Sequence, residues 1–339
     1  MGAGQSGRRS PTLVEIARAA GVSKSAVSLA LRGEVGISEP TRYGILRAAR
    51  SLGRPVTPWA PGADLDRDGP LIGVLVNGLQ SAYHRDVEEG VQSAAPEGVR
   101  LVIAQGGADR SRLQEALRTL VGLGVDGLVI ISSRIPPTTL EEVGRWVPTA
   151  VVGRLSERIE GVDVVFNNDA HGVRLAVHHL FAAGHRRIVH LTGSSRPVAL
   201  HRQRAFVELM RGVVPEVEPR VEGPQHLEAA IRSIVAEVRA GGLAPTAVFA
   251  QTDEIAGDLM VRCFEAGVEV PEGLSIVGYD ASSLSRFLRP ALTSVNQPRH
   301  ELGSTALQLV LDRFEGSGSS RVMTLRPSLT RRDSVAPPS

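Results

Sequence analysis

Cysteine, lysine, aromatic residues and long apolar runs are all scarce in this chain of 339 residues. Cys263 is the only cysteine and Lys24 the only lysine. One thiol can form neither an internal disulfide nor a cysteine-rich metal site, so a reducing, cytoplasmic setting is expected. No run approaches ~18 uninterrupted apolar residues, so a membrane span is not expected. Residues 1–12 are small, polar and basic and lack the apolar core of a secretion signal. Residues 1–10 read as a disordered arm. What is present is the composition of a globular protein, 42% hydrophobic and 22% charged, with length for two or three folding units.

The net charge of +2 hides an asymmetry. Residues 1–58 hold nine basic side chains against three acids, a net of +6, which leaves −4 for the remainder. A basic head on an acidic body suits a polyanion that meets the head alone.

Within the head, Leu13, Ile16, Ala17 and Ala20 recur at helical spacing. Thr12 and Glu15 form a capping-box pattern, and Gly21 stands where a helix ends in a left-handed residue. Ser23 caps a second short helix in which Val27 and Leu31 face inward and Lys24, Ser25 and Ser28 face outward. Ser38 caps a third, with Ile45, Leu46, Ala49 and Leu52 expected inside and Arg42, Arg47 and Arg50 outside. Two short helices joined by a glycine turn, closed by a third, form a helix-turn-helix, assigned to residues 11–54. The bland alternative is a three-helix unit for protein contact.

From Leu71 onward, apolar runs alternate with helical patterns. Strands are expected at Leu71–Val76, Arg100–Ala104, Gly127–Ser132, Thr149–Val152, Arg187–Leu191, Ala247–Ala250 and Leu274–Tyr279. Helices are expected between them, as at Arg112–Gly122, Gly172–Ala183 and Glu254–Ala266. That alternation predicts an α/β body of parallel sheets wound on both faces. Gly122 to Gly127 matches G-x-G-x-x-G, but it follows a helix and precedes a strand, the reverse of a dinucleotide site. His178, His179, His185 and His190 lack an acid or cysteine at ligand spacing, so no metal and no cofactor is expected. Ser194 and Ser195 lack the flanks of a nucleophile elbow. With no acid–base or nucleophile set, the chain does not read as an enzyme.

The segment TLVEIARAAGVSKSAVSLALRGEVGISEPTRYGILRAARSLG resembles the head of the lactose-repressor (LacI/GalR) family. The similarity continues in LAVHHLFAAGHRRIVHLTG, RQRAFVELM, VPEGLSIVGYD, PALTSVNQP and RRDS, and so covers nearly the whole chain. It implies a helix-turn-helix head, a linker over residues 55–69, and a periplasmic-binding-protein-like pair of lobes with two doubly wound parallel sheets. The chain would cross between lobes near 166–169, 290–296 and 318–323. That assigns 70–166 and 293–318 to the first lobe, and 167–292 and 319–335 to the second.

The function implied is a transcriptional repressor that binds operator DNA as a homodimer and answers to a small effector: a sugar, a purine or a related polar metabolite. DNA contacts are expected from Thr12, Lys24, Ser25, Ser28, Leu29 and Arg42, with Arg8, Arg9 and Arg47 as further phosphate partners. Carried over position by position, the effector residues are Arg202, which opens the R-x-x-(G/A)-F pattern, Arg196, Asp280, Tyr83, His84, Ser133, Arg154 and Thr252.

Three departures from the family stand out. Leu29 replaces an arginine common in relatives, and leucine can meet a thymine methyl but cannot pair bidentately with guanine. Pro58, Pro61 and Gly62, with Asp64, Asp66 and Asp68, disfavour the linker helix that relatives place in the minor groove. VEGPQH, at residues 221–226, offers no stacking aromatic for a sugar. A transport solute-binding protein and a sugar-handling enzyme are the competing readings. The basic head opposes the first, and the missing catalytic set opposes the second.

Overall fold

Thr12 starts the first helix as its sequence predicts. Its hydroxyl accepts from the Glu15 amide at 3.3 Å, and Glu15 Oε2 accepts from the Thr12 amide at 2.6 Å. In the computed structural model, residues 11–32, 36–52, 69–78, 81–107, 109–131, 134–223, 225–314 and 319–338 are described. The expected arm at 1–10 and nearly all of the linker lie outside them. α1 (Leu13–Ala20) ends at Gly21, whose φ of 63° favours glycine. Ser23 Oγ accepts from the Ala26 amide at 3.2 Å to open α2 (Lys24–Arg32). Ser38 Oγ accepts from the Thr41 amide at 3.3 Å to open α3 (Glu39–Ser51). Ile16, Ala20, Val27, Ile45 and Ala49 close the head's core.

Two residues of α3 and its end depart from the expected pattern. Leu52 is 43% exposed, because the helix stops at Ser51 before it can turn that side chain inward. Arg42 is only 4% exposed. Its Nη1 donates to the carbonyls of Leu29 (3.3 Å) and Ala30 (3.2 Å), two acceptors in the last turn of α2. A guanidinium at a helix C-terminus satisfies carbonyls that the helix leaves open.

The body follows as β1 (Leu71–Val76), α4 (Ala82–Ser93), β2 (Arg100–Gln105), α5 (Arg110–Gly122), β3 (Gly127–Ile131), α6 (Pro137–Gly144), β4 (Thr149–Val152) and β5 (Val162–Asn167). The chain then enters the second lobe with α7 (Asp169–Ala182), β6 (Ile188–Leu191), α8 (Pro197–Val213), β7 (Arg220–Glu222), α9 (Leu227–Ala240), β8 (Ala247–Ala250), α10 (Asp253–Glu265), β9 (Ser275–Asp280), α11 (Ser283–Phe287) and β10 (Thr293–Asn296). α12 (Arg299–Phe314) returns to the first lobe, followed by β11 (Val322–Leu325) and β12 (Ser328–Thr330). The sheets run β11-β5-β4-β3-β1-β2 and β12-β10-β9-β8-β6-β7. All described pairings are parallel except β10 with β12.

The crossings correct two expectations. β10 pairs with β9, Thr293 opposite Val277, so it belongs to the second sheet and the chain crosses after Asn296. β11 pairs with β5 in the first sheet and β12 with β10 in the second, so the last crossing lies at 326–327. The first crossing, between β5 and α7, falls inside 166–169.

The C-terminal strand region is bound firmly into the second lobe. Ser334 Oγ accepts from the Thr293 amide at 2.9 Å, and the Ala336 carbonyl lies 2.8 Å from His185 Nε2. His190, another of the histidines weighed as a metal ligand, is buried against Phe249 with ring centroids 4.8 Å apart. Burial lowers it to about 4, so it is a neutral core residue. No group of three or more potential metal ligands occurs among the described residues.

α3 lies against α5 and α6 of the first lobe. Trp146 packs on the head's core, and Arg47 Nη1 donates to the Trp146 carbonyl at 2.7 Å. A Cβ at Gly44 would meet the Trp146 ring at 2.1 Å, so only glycine permits this approach. Gly44→Ala should strengthen an isolated helix by ~0.5–1 kcal/mol, yet here it must displace the indole. In a Trp59→Phe background, which leaves Trp146 as the sole tryptophan, we expect red-shifted emission with the head still folded. Unchanged emission would show that α3 does not rest on Trp146.

Candidate functional site

The carboxyl ends of the strands in both sheets face one cavity of about 330 Å³, room for a small metabolite. At its floor stands Arg202, on α8. Its Nε donates to Asp169 Oδ1 at 2.9 Å and its Nη1 to the Gln251 carbonyl at 2.9 Å. The guanidinium carbon lies 3.5 Å from the centre of the Tyr279 ring. Burial works against the charge on Arg202, but Tyr279, Asp169 and Asp280 hold it firmly protonated. The pair is therefore desolvated yet satisfied, the condition under which a buried guanidinium is tolerated.

Asn167, at the end of β5, completes this floor. Its Nδ2 donates to the Tyr279 hydroxyl at 2.7 Å, which ties the first sheet to the second. Its Oδ1 is a buried acceptor without a hydrogen-bond partner among the described residues, and Asn167 lines the cavity. An orphaned acceptor at a cavity wall asks for a donor from a ligand. Arg154, after β4, lies 4.2 Å over the Phe166 ring and 3.8 Å from Asp169 Oδ2, a second link between lobes.

Asp280 sits where β9 breaks. Its φ is 109° and that of Ala281 is 46°, both in the region that favours glycine, and such residues cost ~1–3 kcal/mol each. The loop is held by what surrounds it. Asp253 accepts from the Ser282 amide at 2.6 Å and from the Ser282 hydroxyl at 2.7 Å. Gln297 Nε2 donates to Asp280 Oδ1. Arg299 donates to the Asp280 carbonyl and pairs with Asp86 on α4 at 2.9 Å, so it clasps this loop to the first lobe.

Seven of the eight expected effector residues line this one cavity: Tyr83, His84, Arg154, Arg196, Arg202, Thr252 and Asp280. Ser133 lies outside the described residues. Thr252 also caps α10, its hydroxyl accepting from the Ile255 amide at 3.3 Å. Burial, reinforced by Asp280 and Asp169, keeps the Tyr83 phenol protonated. Sequence reasoning missed Asn167, Asp169, Gln297 and Arg134. The signal for the first two was their place at and just beyond the end of β5, a strand not recognised because Asp163 interrupts its apolar run.

On the head, Lys24 and Ser25 are exposed, and Ser28 and Leu29 half-buried, along α2. Thr12 is exposed at the start of α1. Arg42 is corrected from phosphate contact to an internal cap of α2.

Known proteins bear on both parts. The family described as bacterial regulatory proteins, lacI family, matches residues 12–53, and the periplasmic binding protein-like domain matches residues 177–335. The ribose operon repressor of Haemophilus influenzae is 31% identical over 96% of this chain and 98% of its own. The chain belongs to the lacI family. A PurR repressor of Erwinia tasmaniensis is 28% identical over 96% of this chain and 97% of its own. A lacI-family regulator of Enterococcus faecium, solved with bound ribose, has 28% identity and a TM-score of 0.67 over 79% of this chain and all of its own. This lacI-family chain is a DNA-binding transcriptional regulator and not an enzyme.

Burial pushes Asp280 up to about 7 in spite of Arg202 and the Gln297 hydrogen bond, with Asp253 and Glu254 adding to the rise. An unfolded aspartate titrates near ~3.9. The folded protein therefore binds more protons between these values, and this group's contribution makes stability fall as pH rises through that window. The stability difference between Asp280→Asn and the parent should grow in favour of the variant from about pH 4 to about pH 7, then level off. Thermal melts that stay parallel across the window would refute a buried, strained Asp280.

Proposed function

We propose that this regulator reads operator DNA with Lys24, Ser25, Ser28 and Leu29 of α2, and that its effector is a small polar metabolite held by Arg202, Asp280, Asn167 and Asp169. The observation that carries the reading is the convergence of groups from both lobes on one cavity. Arg202 supplies directed donors, while Asp280 and Asn167 Oδ1 supply acceptors. A polyol or a nitrogen ring presents the matching alternation of donors and acceptors. The ribose in the Enterococcus faecium relative and the names of the ribose and purine repressors fit that chemistry.

The regulator acts as a homodimer in the cytoplasm. Phe264 on α10 and Phe287 on α11 are 86% and 75% exposed, Val261 and Leu284 are exposed on the same two helices, and those helices pack together. Two chains joined there by a twofold axis would present two heads to two half-sites of an operator. No helix among the described residues is long and apolar enough to cross a membrane.

Gel shifts with the DNA upstream of the protein's own gene test the head. If ~6–10 phosphates are neutralised, affinity should fall ~10³–10⁵-fold between 50 and 200 mM salt. Lys24→Ala should change sequence preference rather than merely weaken every site. Salt-independent binding would sink this reading. For the cleft, Arg202→Ala should remove the effector response, at a cost of ~1.5–3 kcal/mol of effector affinity, while operator binding without effector persists. Circular dichroism must accompany that variant, because Asp169 loses its buried partner.

A further inference from the structure

A second groove, of about 700 Å³, lies on the second lobe and shares no lining residue with the cleft. One wall is a stripe of α7, in which His171, Arg174, Leu175, His178, His179 and Ala182 recur at three- and four-residue steps and so share one face of the helix. The other wall is β12, with Pro327 before it and Arg331 after it. α7 and α8 cover one face of the second sheet, and α9 and α10 cover the other. The groove and the apolar surface at Phe264 on α10 therefore lie on opposite sides of that sheet.

The groove is basic on a body that is not. Beyond residue 58 the chain carries a net charge of −4, yet this surface gathers Arg174, Arg331 and three histidines, with Arg326 beside His171. The three arginines are exposed, and none forms an ion pair with a carboxylate among the described residues. Arg174 Nη2 lies instead 3.5 Å from His171 Nδ1. His171 is depressed by burial and then by Arg326 and Arg174, and His179 by burial and then by Arg331, with no acid acting on either.

Between the charges the surface is apolar. Leu175 and Leu329 are half-buried, and Pro327 is buried beside them. A phosphate chain has nothing to lay on that strip, whereas a polypeptide with both carboxylate and apolar side chains satisfies each part. The stripe from His171 to Ala182 is about 16 Å long at ~1.5 Å per residue, the reach of about five extended residues. β12 is also an edge of its sheet, and an edge strand leaves backbone donors and acceptors on its outer side.

We propose that this groove is a docking surface for a partner protein, whose acidic segment lies extended between α7 and β12 with apolar side chains on Leu175 and Leu329. Its carboxylates meet Arg174 and Arg331, whose planar forks pair with them bidentately. The surface is separate from the cleft, so partner and effector compete for no residue.

The test uses the full chain and three labelled probes of equal length: a peptide alternating glutamate with leucine, an oligoglutamate, and a single-stranded DNA of thymidines. Anisotropy at one ionic strength reads binding to the parent and to Arg174→Gln/Arg331→Gln. Because the basic head also attracts polyanions, a photo-crosslinker on each probe reports where it sits. The alternating peptide should bind the parent about tenfold or more tighter than oligoglutamate, through its leucines, and cross-link to residues 171–182 and 326–331. The double variant should lose about tenfold or more of that affinity, the scale of one charge-assisted hydrogen bond, and keep operator binding, since both substitutions lie outside the head. Equal binding of peptide and oligoglutamate would reduce the groove to a plain basic face, and preference for the thymidine strand would assign it to nucleic acid. Binding that survives the double variant, or cross-links on the head alone, would place the peptide elsewhere. Each of these results, like no binding at all, would overturn the docking surface.

Discussion

A guanidinium buried between a carboxylate and an aromatic ring is the interaction on which the rest of the site depends. Burial works against the charge on Arg202, and Asp169, Asp280 and the Tyr279 face more than offset it. Asp169 is presented by the first turn of α7, just after the chain leaves the first sheet, and Tyr279 by β9 of the second. One ion pair thus fixes the relation of a crossing, a helix and a strand. The cleft is built on a satisfied floor and not on a loose ring of polar groups.

The two lobes are joined through polar contacts at the same level. Asn167 meets Tyr279, Arg154 approaches Asp169, and Arg299 holds Asp86 with one side of its guanidinium and the Asp280 backbone with the other. Each link joins a residue that faces the cleft to one in the opposite lobe. A ligand that changes the balance of those links changes the angle between lobes, which is how differential affinity becomes a change of state. The head rests on the first lobe through Trp146, so that lobe's position is also the head's.

Much of this architecture was legible in the sequence, for particular reasons. β1, β4 and β8 carry no charged residue, and their bounds, Leu71–Val76, Thr149–Val152 and Ala247–Ala250, are those the sequence predicts. The caps at Thr12, Ser23 and Ser38 and the stop at Gly21 follow from short-range chemistry. Where long-range pairing decides, sequence reading failed. β5 was missed because Asp163 interrupts it, yet Asp163 is buried and answered by Arg313 at 2.7 Å from α12, some 150 residues away. β10 was assigned to the wrong lobe because its pattern of residues suits either sheet. Arg42 read as a surface charge because nothing local shows that the end of α2 turns toward it. The expected effector residues converged because a motif carried them, whereas Arg134 and Asn167 lay outside any motif.

The order of strands within each sheet has a consequence for synthesis. β11 forms an edge of the first sheet and β12 an edge of the second, although both come near the end of the chain. Ser334 and Ala336 then fasten the second sheet from behind. The head, by contrast, is complete by Ser51. As the ribosome releases the chain from its N-terminus, a folded head emerges while both lobes still lack an edge strand. A product that stops short of Val322 would therefore carry a complete head on two lobes that each lack an edge strand, and the head would be severed in function from the cleft that should govern it.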